Sequence, residues 1–113
     1  MHEYSIAYDL YATARKAAVE HNASQVKKVS VEVGKMSMVN PDQVVFLFDV
    51  IKEEDPLLKT AVLDCHETPP WTRCPCGYSG EEIFVCPACG ALPVLVKGRE
   101  IVVTSIEIEV DEA

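Results

Sequence analysis

Long hydrophobic runs are missing from this sequence. The longest, Val44 to Phe48, is five residues, against about 20 needed to cross a bilayer as a helix. Basic clusters are missing too: 10 Lys and Arg stand against 18 Asp and Glu, the net charge is -8, and no basic run exceeds Lys27-Lys28. A surface of that sign repels phosphate backbones, which argues against nucleic acid as a partner and favours proteins or cations. The opening Met1-His2-Glu3 lacks the basic start of a signal peptide. A cytoplasmic chain with no membrane partner is therefore expected, and in that compartment cysteine pairs are more often metal ligands than disulfides. What is present is 49% hydrophobic and 25% charged residues in 113 positions, enough for one ordinary domain or a small core with a satellite.

From Tyr4 to Glu20, Ile6, Leu10, Ala14, Ala17 and Ala18 recur at helical spacing. This predicts an amphipathic helix ending at His21-Asn22, where Asn22 tolerates a left-handed cap. Gln25 to Gly34 alternates Val29, Val31 and Val33 with Lys28, Ser30 and Glu32, the pattern of a half-buried strand. Asn40-Pro41-Asp42-Gln43 starts a second helix, with Asn40 as N-cap, Pro41 at the first position and Gln43 three beyond the cap. The following VVFLFDVI is apolar on most sides, so burial on more than one face is expected. Thr60 to Glu67 and Glu100 to Val110 read as two further strands. The fold class is α+β, a small three-stranded sheet covered by two helices. Interrupting it, residues 68–99 form an insert with four of the five cysteines and too few aliphatic residues for an independent core.

Within the insert, Cys74-Pro75-Cys76-Gly77 and Cys86-Pro87-Ala88-Cys89-Gly90 are two similar units. The second has the Cys-x-x-Cys spacing of a zinc knuckle, and four thiolates would close a tetrahedral, zinc-ribbon-like site. The first is one residue short, so Cys74 and Cys76 need a tight turn to reach one metal. Cys65 or His66 could substitute if one of them failed. Structural zinc is the favoured reading, since zinc contributes roughly 10 to 16 kcal/mol to a small metallo-module. A redox dithiol at Cys86 and Cys89 is disfavoured, because that pair does not open a helix after a strand. Nucleic-acid binding by the hairpin lacks clustered Arg or Lys and stacking aromatics.

The opening residues admit two readings. A free amino terminus followed by His2 can chelate a divalent metal through the Met1 amine, the His2 amide and the His2 imidazole, an arrangement suited to nickel(II) or copper(II). Glu3 could add a carboxylate. Taken alone, these residues favour the blander reading, an exposed histidine and a glutamate complementing the helix dipole. His21 reads as a favourable positive charge at a helix C-terminus, and His66 as a strand-surface residue.

Taken together, Met1-His2-Glu3, the helix with Ile6, the Val29-x-Val31-x-Val33-Gly34 strand, the Phe46-x-Phe48 helix, the four-cysteine insert and the closing Ile106-Glu107-Ile108 strand resemble the HypA/HybF nickel metallochaperones. The resemblance runs over essentially the whole chain. It implies a nickel-binding α/β domain at residues 1–67 and 100–113 and a zinc-binding domain at 68–99, with no catalytic residues or activity. Nickel would be bound by His2 with Met1 and Glu3 as co-ligands, and structural zinc by Cys74, Cys76, Cys86 and Cys89. The implied partners are the nucleotide-hydrolysing maturation protein HypB and the large subunit of nickel-iron hydrogenase, with urease served by some relatives. A homodimer is compatible with this reading. The chain departs from the family pattern at Cys74-Pro75-Cys76, where the family usually has Cys-x-x-Cys. The competing reading is a zinc-ribbon adaptor that docks a protein and binds no nickel.

Overall fold

The computed structural model describes residues 3–111. Its order is α1 (Glu3–Glu20), β1 (Gln25–Gly34), a 3-10 turn (Lys35–Ser37), α2 (Pro41–Lys52), β2 (Val62–Thr68), β3 (Trp71–Arg73), β4 (Ser79–Gly80), β5 (Val94–Lys97) and β6 (Ile101–Glu109). The main sheet has the order β2-β1-β6, with β2 parallel and β6 antiparallel to β1. Parallel neighbours need a crossover, and α2 fills it. The central strand carries Val26, Val29, Val31 and Val33 into the core, with a register shift between Val26 and Lys28. That irregularity lets residues three apart, Val26 and Val29, share one face.

Both helix boundaries follow from local chemistry. α1 ends with Asn22 at φ 56°, while the Ala23 amide donates to the Ala18 carbonyl (2.9 Å) and the Asn22 amide to that of Val19 (3.1 Å). These two bonds define a Schellman cap. At the start of α2, the Asn40 side chain accepts hydrogen bonds from the Asp42 and Gln43 amides, and Pro41 follows it.

Burial differs from the sequence reading in both helices. In α1 the buried stripe is Ala7, Leu10, Ala14 and Ala18, whereas Ile6 and Ala17 are half-buried at its margins. Three alanines in one line let the helix approach the sheet closely, and the narrow stripe leaves its neighbours at the edge. In α2 only Val44 and Phe48 are buried, while Phe46 is 61% and Val50 55% exposed. Val45, Leu47 and Ile51 pack partly buried against the core on either side of that line, so burial on more than one face is corrected to burial of one broad face, with Phe46 and Val50 on the open one.

The insert forms its own three-stranded sheet, β4-β3-β5. The molecule measures 62 × 27 × 15 Å with a radius of gyration of 17.8 Å, against about 13 Å for a compact chain of this length. Where the two sheets meet, the backbones touch. The Met36 amide donates to the Gly98 carbonyl at 2.8 Å and the Gly34 amide to that of Glu100 at 2.8 Å. A Cβ on Gly34 would lie 2.1 Å from the Gly98 oxygen, so this approach requires glycine.

Candidate metal centre

Each cysteine unit is a turn closed by its own backbone. In the first, the Gly77 amide donates to the Cys74 carbonyl (2.9 Å) and the Cys74 amide to the Tyr78 carbonyl (2.8 Å). In the second, the Gly90 amide donates to the Cys86 carbonyl (2.8 Å) and the Cys86 amide to the Ala91 carbonyl (2.8 Å). The pattern is the same with one more residue inside the loop. Gly77 and Gly90 occupy positive φ, 104° and 80°, where a Cβ is disfavoured. The missing residue of the first unit is thus absorbed by a tighter turn, and all four cysteines converge.

The sulfurs of Cys74, Cys76, Cys86 and Cys89 lie within 4.8 Å of one another. Between the units, the Cys74 sulfur lies 3.4 Å from that of Cys89 and the Cys76 sulfur 3.6 Å from that of Cys86. Both are far longer than an S–S bond of about 2.05 Å. A tetrahedron with metal–sulfur bonds of about 2.3 Å has edges of about 3.8 Å, so the cluster fits a four-thiolate metal ion. Cys74 and Cys86 are buried while Cys76 and Cys89 are exposed, which leaves an access route on one side.

The thiols divide protons unequally. The Cys76 amide pulls the Cys74 thiol down, but burial and hydrogen bonds with the Cys89, Cys76 and Cys86 sulfurs outweigh it and push it up to about 12. Burial raises Cys86, but the Cys89 and Ala88 amides and the neighbouring Cys76 and Cys74 thiols outweigh burial and bring it down to about 7. The cluster titrates as a unit. A divalent cation entering it would displace the remaining protons.

Cys65 and His66 lie outside this cluster. Cys65 packs against the main core, where burial, then Asp64 and Asp42, raise its thiol. His66 Nε2 is 2.9 Å from Asp64 Oδ2 on the exposed sheet face. His21 Nδ1 is 2.8 Å from the Ala17 carbonyl oxygen at the end of α1.

Met1 and His2 lie outside the described residues. Glu3 begins α1, and its carboxylate accepts a hydrogen bond from the Asn40 amide at 3.3 Å. Gln43, three beyond the cap, donates its own amide to the Asn40 side chain, and the Asn40 amide donates to the other helix's acid. No sequence signal points to that pairing, because the two residues are 37 positions apart.

A helix-covered three-stranded sheet joined to a four-thiol module defines a small metal-binding α+β protein. Residues 1–108 match HypA, described as hydrogenase/urease nickel incorporation, metallochaperone. Hydrogenase maturation factor HypA of Methanocella arvoryzae is 40% identical over 97% of this chain and 100% of that protein. The corresponding factor of Methanosarcina barkeri is 34% identical, covering 98% of each. The solution structure of the Ni metallochaperone HypA from Helicobacter pylori superposes with a TM-score of 0.74 at 26% identity, covering 98% of this chain and 100% of that one. The chain belongs to the HypA family.

Proposed function

We propose that this protein binds nickel(II) at its amino terminus through Met1, His2 and Glu3 and delivers it during maturation of nickel-iron hydrogenase, while Cys74, Cys76, Cys86 and Cys89 hold a structural zinc ion. The observation that carries this reading is the family match over residues 1–108, which spans both the Met-His-Glu start and the four-thiol cluster. Amine, amide, imidazole and carboxylate form an open donor set suited to nickel(II), whereas four thiolates form a closed set that retains zinc. Transfer requires the first set to release its ion while the second does not. The chain accordingly divides into a nickel-binding part at 1–67 and 100–113 and a zinc-binding part at 68–99.

On this reading the protein is not an enzyme. It works in the cytoplasm with a HypB-type nucleotide-hydrolysing protein and the hydrogenase large subunit, as a monomer or homodimer. Among the described residues no helix is long and apolar enough to cross a membrane. The deciding experiment is nickel titration of wild type and His2→Ala by calorimetry, with zinc content measured on the same samples. The variant should lose high-affinity nickel binding and keep one zinc per chain; unchanged nickel affinity would favour the adaptor reading. Blocking the amino terminus with an uncleaved extension should have the same effect as the substitution.

A further inference from the structure

Where the two sheets meet lies a cleft of about 580 Å³ that the function above leaves unused. Its volume falls in the range of about 300–1,000 Å³ that holds a drug-sized ligand. The lining combines Pro69, Pro70 and Trp71, the segment leading from β2 into β3, with Glu32 of β1, Glu81 beyond β4 and Glu100 before β6. Backbone contacts fix its base. The Gly98 amide donates to Glu100 Oε1 at 2.9 Å, and a Cβ on Gly98 would lie 2.7 Å from the Pro70 Cα. A cleft held in this way loses little chain entropy when a ligand enters.

Its side chains are available for a partner. Trp71, the single tryptophan of the sequence, is 37% exposed, and among the described residues its ring meets neither another ring nor a cation. Glu32 and Glu81 enter none of the ion pairs among the described residues, whereas Asp64 and Glu109 of the same main sheet are held by Lys28 and Lys27. Three carboxylates line the cleft against one ammonium, Lys97, the register partner of Trp71 between β3 and β5. Clefts lined by one sign of charge focus the field on an incoming counter-charge. An open indole face beside carboxylates suits a guanidinium, whose plane stacks on the ring while its fork donates to the acids. Pro69 and Pro70 offer apolar surface to the stem of such a side chain.

We propose that this cleft docks an extended, arginine-bearing segment of a partner protein, with the guanidinium stacked on Trp71 and paired with Glu32 and Glu81. Tryptophan and arginine are residue types on which interface energy concentrates. The surface is separate from the amino terminus and from the four thiols, so a partner held there competes for neither metal. The test titrates the full zinc-loaded chain with the capped peptide acetyl-Ala-Arg-Ala-Arg-Ala-amide, followed by Trp71 fluorescence and by NMR of the indole and backbone amides. Emission should change saturably, and the shifts should centre on the Trp71 indole and the amides of residues 97–102. The same peptide with citrulline in place of arginine should bind about tenfold more weakly. Glu32→Gln and Glu81→Gln should each weaken arginine-peptide binding about threefold, and Lys97→Gln should tighten it by a similar factor. Four results would overturn the proposal: no saturable response to the arginine peptide, equal binding of the citrulline peptide, affinity unchanged in all three variants, or Trp71 emission that changes with protein concentration alone, which would make a second copy of the chain the occupant.

Discussion

Glu3 at the first turn of α1 accepts a hydrogen bond from the backbone amide of Asn40, the residue that caps α2. One carboxylate therefore joins the starts of both helices, next to the amino-terminal residues proposed to bind nickel. Because the acid already favours two helix N-termini, it positions that end of the molecule whether or not it touches a metal. Glu3→Ala should lower stability by about 1 kcal/mol, measured by urea denaturation of the zinc-loaded protein. Glu3→Gln keeps an acceptor and should recover most of that loss. Nickel affinity weakened in both variants would assign the carboxylate itself to the metal; weakening in the alanine variant alone would assign it to positioning.

The cysteine module should depend on its metal. Its strands have three, two and four residues, too little to stand alone. Phe84, Val85, Leu92, Val94 and Val96 are exposed, so apolar burial contributes little there. Removing the metal with a strong chelator, or substituting Cys86→Ser, should collapse the amide dispersion of residues 71–97. Signals from 25–34 and 101–109 should stay dispersed, since β1 and β6 share a core with both helices. Amide NMR before and after chelation distinguishes this from global unfolding.

Acid should weaken the protein through Asp55. Burial pushes its carboxyl up, but the Tyr11 hydroxyl, the Leu57 amide and the Arg15 guanidinium outweigh burial and hold it below the usual carboxylate range. The Tyr11 hydroxyl donates at 2.5 Å and Arg15 Nε at 3.0 Å. A carboxyl whose folded value lies below its unfolded one contributes stability that is present above the ordinary carboxylate pKa and lost as pH falls from there through the lower folded value. Urea midpoints should therefore decline from about pH 4 downward. Tyr11→Phe should cost about 1 kcal/mol at neutral pH and make that decline shallower; an unchanged acid limb would remove Asp55 as its source.

Gly34 tests the junction between the sheets. Its φ of -64° is open to any residue, so Gly34→Ala adds no backbone strain, only a methyl group 2.1 Å from the Gly98 oxygen. Overpacking of this kind costs typically 1–3 kcal/mol. Gly34→Ala should lower the melting temperature and change residual dipolar couplings of the cysteine module relative to the main sheet. Gly77 and Gly90 have no atom within 4 Å of an added Cβ, so alanine there should act through positive φ alone and leave the junction unchanged.

Much of the fold is written locally. The Asn40-Pro41 start, the Asn22 stop and the alternating valines of β1 depend on neighbours a few residues away, and each element forms where those signals place it. The spacing of the four cysteines was equally legible, because thiolate pairs a few residues apart have few other uses in such a chain. Even the short Cys74-Pro75-Cys76 unit declared its need for a tight turn.

Contacts between distant segments decided the rest. Which residue of α1 faces the core, Ala7 rather than Ile6, depends on how the helix rolls against the sheet. Whether Phe46 and Val50 are covered depends on how many elements surround α2. The Glu3 bond to Asn40, the Gly34 approach to Gly98 and the cleft shared by Glu32 and Glu81 link residues about 30 to 60 positions apart. Hydrogen-bond and thiol chemistry within a turn is fixed by sequence spacing, whereas packing and charge between elements exist only once the chain has closed on itself.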